Sequence, residues 1–301
     1  MKHRYANVSL AELCGAFGKH RQTYYDRIRV YERNQMQLSL VLDIVELIRS
    51  DMPRIGTVKL YHILKPYLIA HGIKIGRDKL FSVLREKDML IKPKKNYRIT
   101  TDSYHRLKKY PNLIKDIELI RPNQLWVADI TYISVRKHFA YLSLITDAYS
   151  HRIIGYCLYE SLETIGCLKS LRMAIDSVHV QVESLIHHSD RGSQYCSNEY
   201  VALLQDMNIS VSMTEEKDAY ENAVAERING ILKAEFGLDE SFYSFTKASK
   251  VVERSIAIYN EKRPHMSCNM LTPKQAHGER GRLKKHWKNY WKLNHEKGKN
   301  E

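Results

Sequence analysis

The chain comprises 301 residues, 44% of them hydrophobic and 27% charged, as expected for a globular protein with one large domain and one or two small ones. It has no run of about eighteen uncharged apolar residues and no signal-peptide core, which excludes an integral membrane protein and leads us to expect a cytoplasmic one. The cysteines argue against a disulfide framework and a structural zinc site, because the five of them are scattered and form no C-x-x-C pair: Cys14, Cys157, Cys167, Cys196 and Cys268.

The net charge of +14 is unevenly distributed along the chain. Residues 1–100 carry 20 Lys and Arg against 9 Asp and Glu, and residues 279–301 carry 8 against 3. The intervening residues 101–278 carry 20 against 22. Two basic arms around a near-neutral centre predict a polyanionic partner that is gripped by the arms, with acidic chemistry in the middle.

A first helix-turn-helix is predicted within residues 1–50. Ser9 can cap a short helix through Ala16, and a glycine turn leads into a second helix over residues 21–30. A separate helical stretch is predicted over residues 36–48, where apolar residues recur at helical spacing. The candidate DNA contacts on the second helix are Arg21, Gln22, Tyr24 and Tyr25.

A second helix-turn-helix is predicted within residues 51–100. Its helices cover residues 57–70 and 77–87, on either side of a turn with two glycines. A basic, proline-containing linker follows over residues 90–100, and we expect it to lie near DNA phosphates. The candidate contacts of this module are Arg77, Lys94 and Lys95. Two such helix pairs on one basic segment favour DNA binding over a plain helical bundle.

Residues 101–278 are predicted to form one α/β domain. Three β-rich runs, LWVADITYI, FAYLSLITDA and RIIGYCLY, are separated by short polar turns. Helix and strand signals then alternate twice, and further helices continue to about Tyr259. A three-stranded meander followed by this alternation predicts a ribonuclease-H-like fold, with a mixed five-stranded sheet and helices, preceded by the all-α modules.

Three carboxylates lie on three different predicted elements of this domain. Asp129 is in the apolar middle of the first strand, where an aspartate is costly unless it is paired or bound to cations. Asp190 ends a later apolar strand, in the run LIHHSDRGSQY, and Glu226 lies in a predicted helix. Such oxygen ligands suit Mg²⁺ or Mn²⁺. Two ions about 4 Å apart can activate the attacking oxygen and stabilise the leaving one in phosphodiester displacement.

Neighbouring residues offer alternatives to this interpretation. His187 and His188 raise the possibility of a zinc site, but no third soft ligand is suitably spaced, so we expect them to pack or to orient the aspartate. Glu221 is the nearest competitor for the helical carboxylate, and we interpret it as a solvated charge of the first turn. Asp147 is expected to be a turn residue or a partner of a catalytic group, and Trp126 to be a core residue.

Five sequence runs carry a family resemblance. WVADITYI, HSDRGSQY, ENAVAERINGILKAE, YNEKRPH and LTPKQA resemble the signature runs of insertion-sequence transposases with a retroviral-integrase-like core. More narrowly, they resemble the OrfB product of the IS-three family, whose elements use two reading frames. The similarity covers roughly residues 10–277 in order, so it is far more specific than any single motif.

The resemblance implies a DNA transposase that cleaves and joins strands at the ends of an insertion sequence. The triad Asp129, Asp190 and Glu226 would hold the metal and be catalytic. Lys233 and Arg263 match basic family residues and would contact DNA. The implied partners are terminal inverted repeats, target DNA, further copies of this chain, and an OrfA-like protein or fusion.

Two other functions remain open at this point. The first is an inactive or regulatory DNA-binding protein derived from a transposase, against which an intact triad argues. The second is a ribonuclease-H-like nuclease, which would not require two helix-turn-helix modules.

Residues 279–301 form a basic, aromatic tail. A helix is predicted over residues 281–295, because five residues recur at helical spacing and place an aromatic stripe on one face: Leu283, Trp287, Tyr290, Trp291 and Asn294. This helix either docks its stripe on the core and leaves solvated lysines outside, or adds contacts to DNA phosphates.

Overall fold

The structure, a computed structural model, describes residues 7–92, 107–115, 117–178, 184–215 and 222–287. The helices are α1 Leu10–Ala16, α2 Arg21–Asp51, α3 Thr57–Ala70, α4 Arg77–Glu86, α5 Thr164–Asp176, α6 Asn198–Asp206, α7 Ala223–Phe236, α8 Phe245–Lys262 and α9 Pro273–Ala276. The strands are β1 Leu125–Val135, β2 His138–Asp147, β3 Ile153–Tyr159, β4 Ile186–Ser189 and β5 Ser210–Met213.

The N-terminal region is helical, as predicted, with one difference in its first pair. Ser9 and Glu12 form a capping box at the start of α1. Helix α2, however, runs without a break from Arg21 to Asp51, so the predicted interruption after residue 30 is wrong. The intervening YERNQ contains neither Gly nor Pro, and its Glu, Arg and Gln favour helix. Helices α3 and α4 occupy the spans predicted for the second pair.

The sheet has the strand order β3-β2-β1-β4-β5. The first three strands form an antiparallel meander, because short turns connect them. Strands β4 and β5 are reached through α5 and α6, and β1, β4 and β5 run parallel. This mixed five-stranded sheet with helices confirms the predicted ribonuclease-H-like fold.

Apolar layers cover both faces of the sheet. On one face, α7 and α8 pack on the meander, and buried residues of α2, α3 and α4 continue the same hydrophobic cluster. On the other face, α5 and α6 pack against Trp126 and Ile145. Trp126 is therefore a core residue, as predicted, and its indole nitrogen donates to Asn123 Oδ1 at 3.0 Å. All five cysteines are free.

The basic tail is extended where the structure describes it. The predicted helix is wrong for residues 281–287, while residues 288–301 lie outside the described residues. Backbone groups of this segment pair with the core instead of with each other, since Gly281 N donates to Ile120 O at 2.7 Å and His286 N to Met266 O at 2.7 Å. Gly281 also has a φ of +84°, which interrupts a helix. No helix among the described residues is long and apolar enough to span a membrane.

Candidate active site

Asp129 and Asp190 come from neighbouring parallel strands. In the β1–β4 pairing, Val127 lies opposite His188. Asp129 lies two residues beyond Val127, and Asp190 lies two residues beyond His188, just after the end of β4. Adjacent strands are about 4.8 Å apart, and side chains at one level of a parallel pair point to the same face. The two carboxylates therefore lie side by side where β4 ends.

The Asp129 carboxylate is held by two hydrogen bonds. Ile130 N donates to its Oδ1 at 2.9 Å, and Asn229 Nδ2 donates to its Oδ2 at 2.8 Å. Burial and then the negative charge of Asp190 raise the pKa of Asp129 from 3.8 to about 7, although both hydrogen bonds oppose this shift. The group is thus oriented by two hydrogen bonds, and its raised pKa reflects burial and nearby negative charge.

Glu226 is carried by the helix face that packs on β1. Asn222, Glu226 and Asn229 have the spacing i, i+4 and i+7, so they share one face of α7. Asn222 Nδ2 donates to Ala128 O at 3.0 Å, and Asn229 bonds Asp129. Glu226 is exposed, and burial followed by the charge of Asp190 raises its pKa. The third carboxylate is therefore within electrostatic reach of the other two.

Close packing against the Asp190 side chain requires a glycine at position 192. Gly192 N donates to Asp190 Oδ1 at 3.0 Å. A Cβ built on Gly192 would lie 3.0 Å from that same oxygen and 3.3 Å from Gln194 Oε1. Any side chain here would press on the carboxylate, which explains the Asp-Arg-Gly sequence of this turn.

The two histidines before Asp190 belong to the core. His187 Nε2 bonds the Tyr200 hydroxyl at 2.9 Å, and burial lowers the pKa of His187 to about 3. His188 Nδ1 bonds Ser212 Oγ at 2.8 Å. They pack in the core, as expected. Asp147 is the predicted turn residue, since it accepts from the backbone N–H of Asn123 at 2.7 Å and from that of Ser150 at 2.8 Å.

The chemistry of the acids fits a hard divalent cation. Asp129, Asp190 and Glu226 offer only oxygen ligands, and the raised pKa of Asp129 marks a local excess of negative charge that a cation would neutralise. The described part of the chain contains no group of three or more His, Cys, Asp or Glu side chains already placed to hold a metal ion. The two aspartates form the fixed part of the site, and Glu226 stands exposed beside them.

Some of the predicted DNA contacts are accessible. Arg21, Gln22 and Tyr25 are exposed at the start of α2, and Tyr24 is half-buried beside Tyr25. Arg77 is exposed at the start of α4 and pairs with its neighbour Asp78 at 2.9 Å. Lys94 and Lys95, which are predicted to contact DNA, lie outside the described residues. Glu221, the alternative to Glu226, lies outside them as well.

The two predicted DNA contacts near α7 have different environments. Lys233 is half-buried and lies two turns beyond Glu226 on the same helix face. Arg263 is only 1% exposed, and its guanidinium donates two hydrogen bonds to Glu235, at 2.8 and 2.7 Å. The prediction that Arg263 contacts DNA is therefore wrong, because Glu235 already satisfies its charge inside the fold.

Two functional candidates were not found from the sequence. Asn229 was missed although it lies three residues after Glu226, on the same polar face of the helix. Glu235 was missed because its partners come from distant segments. It binds Arg263 and also Lys59 of α3, at 2.9 Å, and so joins the helical module to the core.

The fold is that of an integrase-type polynucleotidyl transferase core. The integrase core domain family matches residues 120–219, and a second description of the integrase core domain matches residues 207–273. The chain is 33% identical over 265 residues to the insertion element IS600 uncharacterized 31 kDa protein of Shigella sonnei, covering 87% of this chain and 96% of that protein. It is 28% identical over 280 residues to transposase InsF for insertion sequence IS3A of Escherichia coli K12, covering 91% and 95%.

Among solved structures, the chain is similar to the HTLV-2 integrase catalytic core domain in complex with magnesium. That core is 18% identical, with a TM-score of 0.42, and the match covers 53% of this chain and 99% of the viral one.

From the sequence relatives, the chain belongs to the insertion-sequence transposases of the IS3 type, as its motifs predicted. It is a DNA transposase with an integrase core domain.

Proposed function

We propose that this transposase cuts and joins DNA strands at the ends of its insertion sequence with Asp129, Asp190 and Glu226 as catalytic metal ligands. The observation that carries the proposal is the parallel pairing of β1 and β4, which brings Asp190 near enough to raise the pKa of Asp129, with Asn229 bonded to Asp129. Two aspartates from neighbouring strands, the first with a raised pKa, and the exposed Glu226 offer only oxygen ligands, which suit Mg²⁺ or Mn²⁺, with two ions proposed.

Each residue has a distinct part in this proposal. Asp129 and Asp190 hold the cation from the rigid sheet, and Glu226 closes the site from α7. Asn229 keeps the Asp129 carboxylate turned toward the site. When bound, the divalent cation activates the attacking oxygen and stabilises the leaving one. Strand cleavage by water and joining by a 3′-hydroxyl are both displacements at phosphorus, so one site serves both steps and the protein forms no covalent bond to DNA.

DNA recognition is assigned to the basic N-terminal arm. Arg21, Gln22 and Tyr25 are exposed on the first two turns of α2, where side chains of a recognition helix contact base edges. Arg77 at the start of α4 is proposed to contact phosphate, and Lys233 to lie near the DNA end. The partners proposed are terminal inverted repeats, target DNA, further copies of this chain and an OrfA-like protein, in the cytoplasm at the nucleoid.

The experiment uses purified full-length protein and duplexes that carry the inverted repeats flanking its own gene. We expect preferential binding to repeat DNA, and strand cleavage followed by joining when Mg²⁺ or Mn²⁺ is added. Binding without cation-dependent cleavage under these conditions would instead favour a regulatory DNA-binding protein. Cleavage with no preference for the repeats would favour a general nuclease.

A further inference from the structure

A cleft of about 920 Å³ lies on a different face of α7 from the three acids. Ala223, Arg227 and Ile231 line it and recur every four residues, so they share one helix face. The face that carries Glu226 and Asn229 points to β1 instead. The cleft is thus separated from the candidate active site by the width of one helix, roughly 10 Å.

The extended tail forms the opposite wall of this cleft. Lys285 and Trp287 line it, and the segment is pinned to the core by backbone hydrogen bonds. Asn269 N donates to Lys284 O at 2.8 Å, and His286 N donates to Met266 O at 2.7 Å. These bonds on either side of Lys285 hold the tail against the core.

Positive charge in the cleft exceeds negative charge. The other lysine and arginine side chains that line the cleft form ion pairs. Lys59 and Arg263 pair with Glu235, and Arg282 pairs with Glu118. Arg227 and Lys285 are exposed, and neither takes part in an ion pair within the described part of the chain. Two cations that have no ion pair among the described residues therefore line one half-open cleft.

The half-buried His151 of the cleft responds to this charge. Burial lowers the pKa of His151 to about 4, and the charges of Arg263, Lys285 and Arg227 act in the same direction, against the opposing effect of Asp147. The cations thus lie close enough to His151 to add to the local positive potential. An anionic ligand would be favoured there.

The cleft also offers surface for flat, apolar groups. Trp287 is 47% exposed, and Lys285 Nζ lies 5.9 Å from the centroid of its ring. Ile117, Leu119 and Leu283 add apolar lining. Phosphate-binding cations beside an exposed aromatic ring are the combination that binds single-stranded nucleic acid through its backbone and its bases. A volume of about 920 Å³ holds a few nucleotides but not a duplex.

We propose that this cleft binds a short unpaired segment of DNA strand, with phosphates at Arg227 and Lys285 and a base stacked on Trp287. This assignment rests on the proposed function, because it requires a DNA strand bound at the three acids. Such a strand would need only a few nucleotides to pass around α7 and reach the cleft. The assignment gives the basic tail a defined role in holding the substrate.

The test is titration of the full-length protein with a short fluorescent oligothymidine, followed by anisotropy, in EDTA and at several salt concentrations. The double variant Arg227→Ala/Lys285→Ala is expected to bind the oligonucleotide about tenfold more weakly, with a salt slope reduced by about 1.4 for two lost phosphate contacts. Arg172→Ala/Lys250→Ala is the matched control, because it removes two exposed cations outside the cleft lining. It should change affinity by less than about twofold.

The aromatic contact has its own control. Trp287→Ala should weaken oligothymidine binding at least about fivefold, whereas Trp287→Phe should retain most of it, because both aromatic rings stack on bases. Equal losses in the cleft double variant and the control pair would overturn the proposal. A loss confined to a hairpin duplex of the same length would overturn it as well.

Failure of this proposal can be distinguished from failure of the proposed function. Cation-dependent cleavage of repeat DNA by the unmodified protein tests the proposed function and does not depend on the cleft assignment. If that cleavage occurs and Arg227→Ala/Lys285→Ala binds oligothymidine like the unmodified protein, only the cleft assignment is wrong. If the unmodified protein does not cleave, the proposed function fails.

Discussion

Asn229 donates a 2.8 Å hydrogen bond from its side-chain amide to the carboxylate of Asp129. This bond links α7, which carries Glu226, directly to β1, which carries Asp129. The helix and the strand meet through two such amides, since Asn222 bonds the backbone of Ala128 in the same way at 3.0 Å. The position of Glu226 relative to the aspartates is therefore set by asparagines rather than by the acids themselves.

Asn229→Ala is expected to reduce strand cleavage about 10–100-fold, as for other residues that orient metal ligands. Its hydrogen bond lowers the pKa of Asp129, so its removal raises that pKa further. The acidic limb of the pH–rate profile for cleavage should therefore shift to higher pH, with repeat DNA binding unchanged. A rate loss without any shift of the profile would indicate a purely structural role.

Gly192→Ala is expected to impair cleavage with little effect on folding. The new Cβ would lie 3.0 Å from Asp190 Oδ1, so the carboxylate must move. Gly230→Ala is the control, since Gly230 is an exposed α7 residue whose Cβ would contact nothing within 4 Å. Alanine there should stabilise the helix by about 0.5–1 kcal/mol. Cleavage rates and denaturant midpoints distinguish the two, and full activity of Gly192→Ala would show that Asp190 tolerates displacement.

Protonation of Asp129 is expected to stabilise the metal-free protein as the pH falls from 8 to 6. The pKa of this group is 3.8 when unperturbed and about 7 in the fold, so the folded state binds the proton more tightly. Ionisation above pH 7 then costs stability, and protonation restores it. Thermal unfolding in EDTA measures this contribution as the difference between the native chain and Asp129→Asn. A difference that does not change with pH would refute it.

Glu235→Gln is expected to destabilise the protein by about 3–5 kcal/mol, because it leaves the buried Arg263 unpaired. Burial would raise the pKa of Glu235, but its bonds to Arg263 and the charges of Arg263 and Lys59 hold that pKa below its ordinary value. Arg263 lowers the pKa of Glu235 more than Lys59 does, so Arg263 is the stronger partner.

Lys274→Ala is the control for this buried pair. It breaks the exposed Lys274–Glu261 pair and should cost less than about 1 kcal/mol. Urea unfolding measures both variants. A loss for Glu235→Gln as small as that of the control would mean that the cluster does not contribute to stability.

Local patterns predicted most of the core, and long-range packing accounts for what they missed. Asp129 could be identified as a candidate from local sequence alone, because it is an aspartate among apolar strand residues. Helices α3 and α4 and the five strands could be predicted from hydrophobic periodicity and turn residues. Arg263 resembled an exposed DNA contact because nothing near it in sequence indicates Glu235, 28 residues away. The tail has a helical pattern, yet its backbone hydrogen bonds go to Ile120 and Met266. The catalytic roles of the three acids stay predictions.

Asp129, Asp190 and Glu226 are proposed to act as one metal-holding unit, and single-turnover cleavage and joining of repeat DNA tests this most directly. Asp129→Asn, Asp190→Asn and Glu226→Gln should each abolish both steps with Mg²⁺ or Mn²⁺. Repeat DNA affinity should stay within about twofold, because phosphate contacts of the arms do not depend on these charges. Near-normal joining by any one of the three variants would contradict the proposal and remove that residue from the site.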